Sequence, residues 1–350
     1  GVNFSEKGMA SYLLHNKWRK AQLVYQNDTF NIKIRSHGSQ PDNGIIGDYI
    51  SFRIKLKDGR QINNCKTFKL LIYESMKFKP SIMDYLSEKF SLIRSKQNEL
   101  VKVKLPHKKE KLYYFEQLTN DKVMEVQNMS SYHIFESEEH ESKSSVVSVN
   151  VDESFIEHAM DSTFVKGKFD TLIQKNIINR YKDLNHSIIS QKSDAASNFF
   201  NVDYISSFLA SRYIGNFNGH EQTPLNSIIY YNFANGKFYP TINREPSLHG
   251  VIDDGNNIEK HFFNRRHPVN KGEQKLILVS YLTMNDEIRI EAYKKAYEFI
   301  ISNTNEYIEL WKKGVEFEKI LYPQNIFYNV LAKPLLEEQL VIDENLKILK

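Results

Sequence analysis

The stretch YISFRIKLKDGRQINNCKTFKL, residues 49–70, alternates apolar and polar side chains, breaks at an Asp-Gly pair, and resumes as CKTFKLLI. Side chains two apart on an extended chain share a face, so Arg53, Lys55 and Lys57 predict a β-strand with a basic face that ends in a turn. A second strand follows the turn. Upstream, TFNIKIRSHG (29–38) alternates strictly and predicts another strand, whereas residues 4–20 carry apolar side chains at helical spacing. Downstream, SIMDYLSEKFSLI predicts a helix, and LVKVKL and KLYYFEQL predict a strand pair across PHKKE. Residues 1–135 therefore read as a lobe of antiparallel strands with one or two helices.

Residues 136–150, ESEEHESKSSVVSVN, are polar, Ser-rich and charged, and read as a linker. Beyond them the spacing turns helical, in FDTLIQKNIINRYKDLNHSIIS, VDYISSFLASRYIGNF, QKLILVSYLTM, DEIRIEAYKKAYEFIISNTNEYIELWKKG and NIFYNVLAKPLLEEQ. Asp203, just before an apolar-periodic run, suits a helix cap. A hairpin over 226–242 interrupts the helices, with NSIIYYNF and KFYP flanking an Ala-Asn-Gly turn. The expected fold class is α+β: a β-rich amino-terminal lobe, then a helical lobe over 151–350 with an inserted hairpin.

Composition narrows the function classes. The 350 residues are 41% hydrophobic, with 22 Phe and 20 Tyr against 14 Gly and 9 Pro, which excludes collagen-like and low-complexity chains. Lys and Arg number 47 against 43 Asp and Glu. So small an excess, not gathered in an arm, gives no footprint for nucleic acid. Cys65 is the single cysteine, so neither an intramolecular disulfide nor a multi-Cys metal site is open to the chain. No run approaches the roughly 20 apolar residues of a membrane helix, so the chain is not expected to span a membrane. It opens on Gly1-Val2 without Met, and removal of an upstream segment is expected.

Cations on a rigid strand beside a turn can hold a polyphosphate, and Arg35, Arg53 and Lys55 have that placement. Glu116, in the aromatic strand LYYFEQL, needs a Lys or Arg from a neighbouring strand if it faces inward. Later, His220, Glu221 and Asn226 fall in one polar loop, and Asn243, Arg244 and Glu245 close the hairpin. Amide and carboxylate oxygens suit Mg²⁺, which makes Asn226 and Glu245 candidate ligands. His220 has two readings, a general base or a hydrogen-bonded loop residue. The sequence contains no Walker loop, GxGxxG, HExxH, GxSxG or paired CxxC. Tyr230, Tyr231, Phe238 and Tyr239 would form a sugar-stacking platform if they pointed outward together, and core if inward.

Taken in order, these segments resemble the CotH-like family of atypical kinases, the spore-coat protein type, and its divergent bacterial members. FNIKIRSHG stands where the family has a strand ending in an Arg-Leu-Lys-Gly run, and Ser51 to Lys55 matches its Ser-Phe-Arg-x-Lys strand. The span 83–136 resembles a helix, a strand pair, and a Tyr-x-x-Glu-Glu element with its following helix. FNVDYISSFLASRYIGNFNGHEQTPLNSIIYYNFANGKFYP (200–240) resembles the helix, His/Asn loop and hairpin that carry the family's catalytic loop.

The resemblance implies a two-lobed protein-kinase-like fold that uses ATP and Mg²⁺ to phosphorylate a protein substrate at Ser or Thr hydroxyls. It places Arg35, Arg53 and Lys55 on phosphates, Glu116 as a brace, and His220 and Asn226 in the catalytic loop with Asn226 at the metal; Glu221 is a further catalytic candidate, and Glu245, one position off the family's Asp, the candidate to replace it at the metal. The implied setting is the bacterial cell envelope, periplasm or secretory route, with a cytoplasmic home as the alternative. The family's Asp before the loop His is Gly219 here, and TINRE stands where another Asp follows the hairpin's Pro, with Asp253 and Asp254 farther on. A pseudokinase or scaffold in surface-polysaccharide or coat assembly is therefore the alternative function.

Overall fold

The computed structural model describes residues 17–37, 45–46, 49–57, 59–73, 78–94, 97–117, 132–137, 163–166, 171–190, 192–215, 228–242 and 281–321. The chain divides into two compact units, Gly1–Ser81 with Lys96–Ser130, and Ile82–Ser95 with Ser131–Lys350. The fold class is α+β, with an antiparallel six-stranded sheet and several helices.

In the first unit the strands are β1 (Arg19–Tyr25), β2 (Asp28–Ser36), β3 (Ile45–Ile46), β4 (Tyr49–Ile50), β5 (Phe52–Leu56), β6 (Thr67–Ile72), β7 (Gln97–Val103) and β8 (Lys111–Gln117). β3 and β4 pair with each other, and the other six form one sheet in the order β1-β2-β5-β6-β8-β7. Period-two alternation explains the core. Phe30, Ile32, Ile54, Leu56, Phe68, Leu70, Ile72, Tyr113 and Phe115 come from one face of the sheet and bury a common cluster that also encloses Cys65.

Two tight turns set the register on that side. Gln26 and Asn27, and again Asn63 and Asn64, take positive φ in the left-handed region, as two-residue turns require, and Asn tolerates it. At the second turn Ile62 and Cys65 exchange backbone hydrogen bonds of 3.1 and 2.8 Å. The helix expected over residues 4–20 is corrected at its end. Arg19 and Lys20 belong to β1, where they pair with Ile34 and Lys33, so ladder pairing overrides the helical spacing there; residues 1–16 lie outside the described residues.

The second unit contains most of α1 (Lys79–Lys89), then β9 (Tyr132–Ser137), β10 (Thr163–Lys166), α2 (Thr171–Ile189), a 3-10 turn (Ser193–Ala195), α3 (Ala196–Phe199), α4 (Val202–Gly215), β11 (Ile228–Asn232), β12 (Lys237–Pro240) and α5 (Asp286–Leu321). The hairpin of β11 and β12 forms as the sequence predicts, but it does not stand alone. β9 and β10 extend it to a four-stranded sheet in the order β10-β9-β11-β12. This corrects the expectation of helix alone around the hairpin. TFVK is too short to show a period, and it becomes strand by pairing with β9.

α4 buries residues 205–210 without a break, as a central helix does. α5 packs along it: Ser206 Oγ donates to the Ile288 carbonyl at 3.1 Å and Tyr307 OH to the Ile214 carbonyl at 3.4 Å. The cap of α4 is Asn201, whose Oδ1 accepts from Tyr204 N at 2.9 Å. Asp203, expected as the cap, lies one position inside the helix and ion-pairs with Lys295 at 2.7 Å. Tyr230 and Phe238 are fully buried and Tyr239 nearly so, with Phe238 edge-on to Tyr181 and Tyr239 edge-on to Tyr204. Tyr230, Phe238 and Tyr239 are core and Tyr231 is half-buried, so the four do not point outward together as a sugar-stacking platform. No helix among the described residues is long and apolar enough to cross a membrane.

Candidate functional site

The face of the first sheet opposite the apolar cluster carries a row of charges fixed by strand register. Arg35 on β2 pairs with Arg53 on β5, Arg53 with Lys69 on β6, Lys69 with Glu116 on β8, and Glu116 with Asn98 on β7. Neighbouring strands lie about 4.8 Å apart, so the three cations span about 10 Å in a line. The sequence predicts Arg35, Arg53 and Glu116 as site residues, and the register brings all three together. Lys55 points to the same face one row along, opposite Lys33 and Thr67, and is exposed to solvent.

Glu116 faces inward, and the required cation meets it. Lys69 Nζ donates to Glu116 Oε1 at 2.7 Å, with side-chain exposures of 14% and 2%. A carboxylate so enclosed is tolerable only when paired and hydrogen-bonded. Lys69 is the residue that strand-by-strand reading misses. Its signal is a lone cation in TFKLLI, in phase with Arg53 across an antiparallel pair.

At the other end of the row the Arg35 guanidinium lies over the Trp18 ring at 5.1 Å. Its Nε is buried with no hydrogen-bond partner. Burial first, and the neighbouring Arg53 charge second, hold its pKa below the ordinary arginine value. Two guanidiniums side by side on a rigid sheet repel each other, and an anion between them reverses that term. The row can therefore receive an oxyanion ligand, with Glu116 keeping the Lys69 ammonium in place.

A second cation missed in the sequence is Arg212, on the last turn of α4. It is buried, lies 5.5 Å over the Phe208 ring, and burial presses its pKa down to about 9. It stands at the root of the segment bearing His220, Glu221 and Asn226. Those three residues, with Glu245, Asp253 and Asp254, lie outside the described residues. Among the described residues no group of three or more His, Cys, Asp or Glu is placed to hold a metal ion. No family model matches the chain, and no curated protein matches it.

Proposed function

We propose that this chain is a two-lobed, kinase-like protein of the CotH type that binds the phosphates of ATP on the Arg35–Arg53–Lys69 row. The observation that carries the reading is the enclosed Lys69–Glu116 pair, in register with two further cations on one sheet face. Kinases orient a phosphate-binding lysine with a carboxylate, and their catalysis is mostly positioning and charge neutralisation. Lys69 and Arg53 take phosphate oxygens here, Glu116 holds Lys69, and Arg35 extends the row. Lys55, exposed in the adjoining row, adds to the positive field without a fixed contact.

In the transfer itself, the hydroxyl oxygen of a protein Ser or Thr attacks the γ-phosphorus, the bond to the β,γ-bridging oxygen breaks, and ADP departs. His220 or Glu221 accepts the hydroxyl proton. Asn226 and Glu245 are the oxygen ligands this reading assigns to Mg²⁺, which supplies neutralisation of the phosphate charge. The setting proposed is the bacterial cell envelope or secretory route.

One observation favours a second reading, binding without transfer. Gly219 and TINRE stand where the family has carboxylates, and loss of metal-binding charge removes much of the stabilisation that phosphoryl transfer needs. Two measurements separate these. A ligand present at a hundred times its Kd stabilises the fold by about 2.7 kcal/mol, so millimolar Mg-ATP raises the melting temperature of the wild type and not of Lys69→Met. Labelled ATP with an acceptor protein then reports transfer, with Asn226→Ala as the control. A shift without label above the control leaves a nucleotide-binding pseudokinase, and no shift at all overturns both nucleotide readings in favour of a scaffold in coat or envelope assembly.

A further inference from the structure

The second unit contains a cleft of about 460 Å³ between the end of α2, the 3-10 turn with α3, and the start of β12. Arg180, Lys192, Lys237 and His186 line it against a single carboxylate, Asp183. Two of the cations are held by backbone carbonyls of α3. Arg180 donates to the Asn198 carbonyl at 2.6 Å with its guanidinium 4.5 Å over the Phe199 ring, and Lys237 Nζ donates to the Ser197 carbonyl at 2.5 Å. The backbone of Lys192 is pinned as well. Its N–H donates to the Ser187 carbonyl at 3.0 Å, and its carbonyl accepts from Tyr281 OH at 3.2 Å.

One carbonyl for a guanidinium with five N–H groups, and one for an ammonium with three, leaves most of both donor sets open to a ligand. Burial, and after it the charge of Arg180, hold the Lys237 pKa below the ordinary lysine value. The two cations thus repel across the cleft, and a dianion between them turns repulsion into attraction.

We propose that this cleft binds a phosphate monoester, with the Arg180 fork and the Lys237 ammonium on its oxygens and Lys192 at the rim. Arg suits the site because its planar fork matches phosphate oxygens in pairs. Asp183, on the same helix as Arg180, weakens the positive field and limits affinity. Lys237 pairs with Asn232 at the turn end of the hairpin, whereas Pro240 pairs with Ile229 about 10 Å farther along the strand. None of the cleft residues is used in the transfer reading, so the cleft stands independently of that assignment.

The test is calorimetric titration of the full chain at low salt with inorganic phosphate, a phosphoserine peptide and its unphosphorylated form. Removing one charge-assisted partner costs about tenfold in affinity, so Lys237→Gln weakens phosphate binding by about that factor. Asp183→Asn tightens it severalfold, a gain that misfolding cannot produce. Tighter binding of the phosphopeptide than of phosphate assigns a protein-borne monoester, and phosphate binding with none of the phosphopeptide overturns it. Equal affinity for the two peptides with no phosphate binding overturns the proposal, as does phosphate binding that neither substitution changes.

Discussion

Lys69 Nζ stands 2.7 Å from Glu116 Oε1, in register on adjacent strands, with the carboxylate almost wholly enclosed. Breaking such a pair from one side leaves an uncompensated buried charge, whereas replacing both partners with apolar groups removes the problem. Glu116→Leu is therefore expected to destabilise the fold by about 3 kcal/mol in urea denaturation. Lys69→Met with Glu116→Leu should recover most of that loss. Additive costs in the double variant would show that the two side chains do not act as a pair.

Arg35 supplies a prediction with two opposite signs. Burial and the Arg53 charge both work against its guanidinium in the unliganded protein. Arg35→Met keeps much of the aliphatic packing and ends the repulsion, so the melting temperature without ligand should hold or rise. The stabilisation produced by tripolyphosphate should fall in the same variant, because one of three cations in the row is gone. A ligand-induced shift equal to that of the wild type would remove Arg35 from the binding row.

Much of this sheet is legible in the sequence, for a physical reason. Alternation fixes the face of each side chain, so Arg35 and Arg53 are seen to lie on a basic face and Glu116 to need a partner. The identity of that partner depends on strand order, since β6 sits between β5 and β8, and no local pattern encodes the neighbour of a strand. The same limit hides β9 and β10, which gain their form from pairing in the ladder. The α4 cap is displaced because two polar residues, Asn201 and Asp203, compete for one role, and backbone geometry selects Asn201. The phosphate cleft is assembled from α2, α3 and β12, so its cations stand far apart in sequence and share no motif.

The hairpin turn offers a conformational test. Gly236 has a φ of +66°, and Asn232 Oδ1 accepts from Ala234 N at 2.8 Å just before it. A Cβ at position 236 meets only Tyr231 OH, at 3.6 Å, so the cost of Gly236→Ala is backbone strain and not a clash. The expected loss is about 1 kcal/mol in denaturant unfolding. Gly236→Asn should lose less, because Asn tolerates the left-handed region better than Ala. Equal losses for Ala and Asn would mean that the turn relaxes to another geometry.

Asp84 on α1 gives the fold a pH dependence whose sign follows from its surroundings. Burial raises its pKa from 3.8 to about 6, Arg94 opposes the shift, and Glu88 adds to it. Arg94 is itself paired with Glu88 at 3.1 Å, which diverts its charge from Asp84. With the folded pKa above the unfolded one, the folded state holds the proton more tightly between about pH 4 and pH 6. That contribution is complete below the unfolded pKa and is lost as pH rises through the folded pKa. At pH 8 the ionised Asp84 therefore costs the wild type about 2–3 kcal/mol, at 1.36 kcal/mol per unit. Asp84→Asn carries no such charge and should be more stable than the wild type by that amount at pH 8, with the gap closing toward pH 4. Other carboxylates titrate alike in both proteins and cancel in the difference, so urea midpoints at the two pH values isolate this group. A gap of the same size at both would assign the effect to packing and not to ionisation.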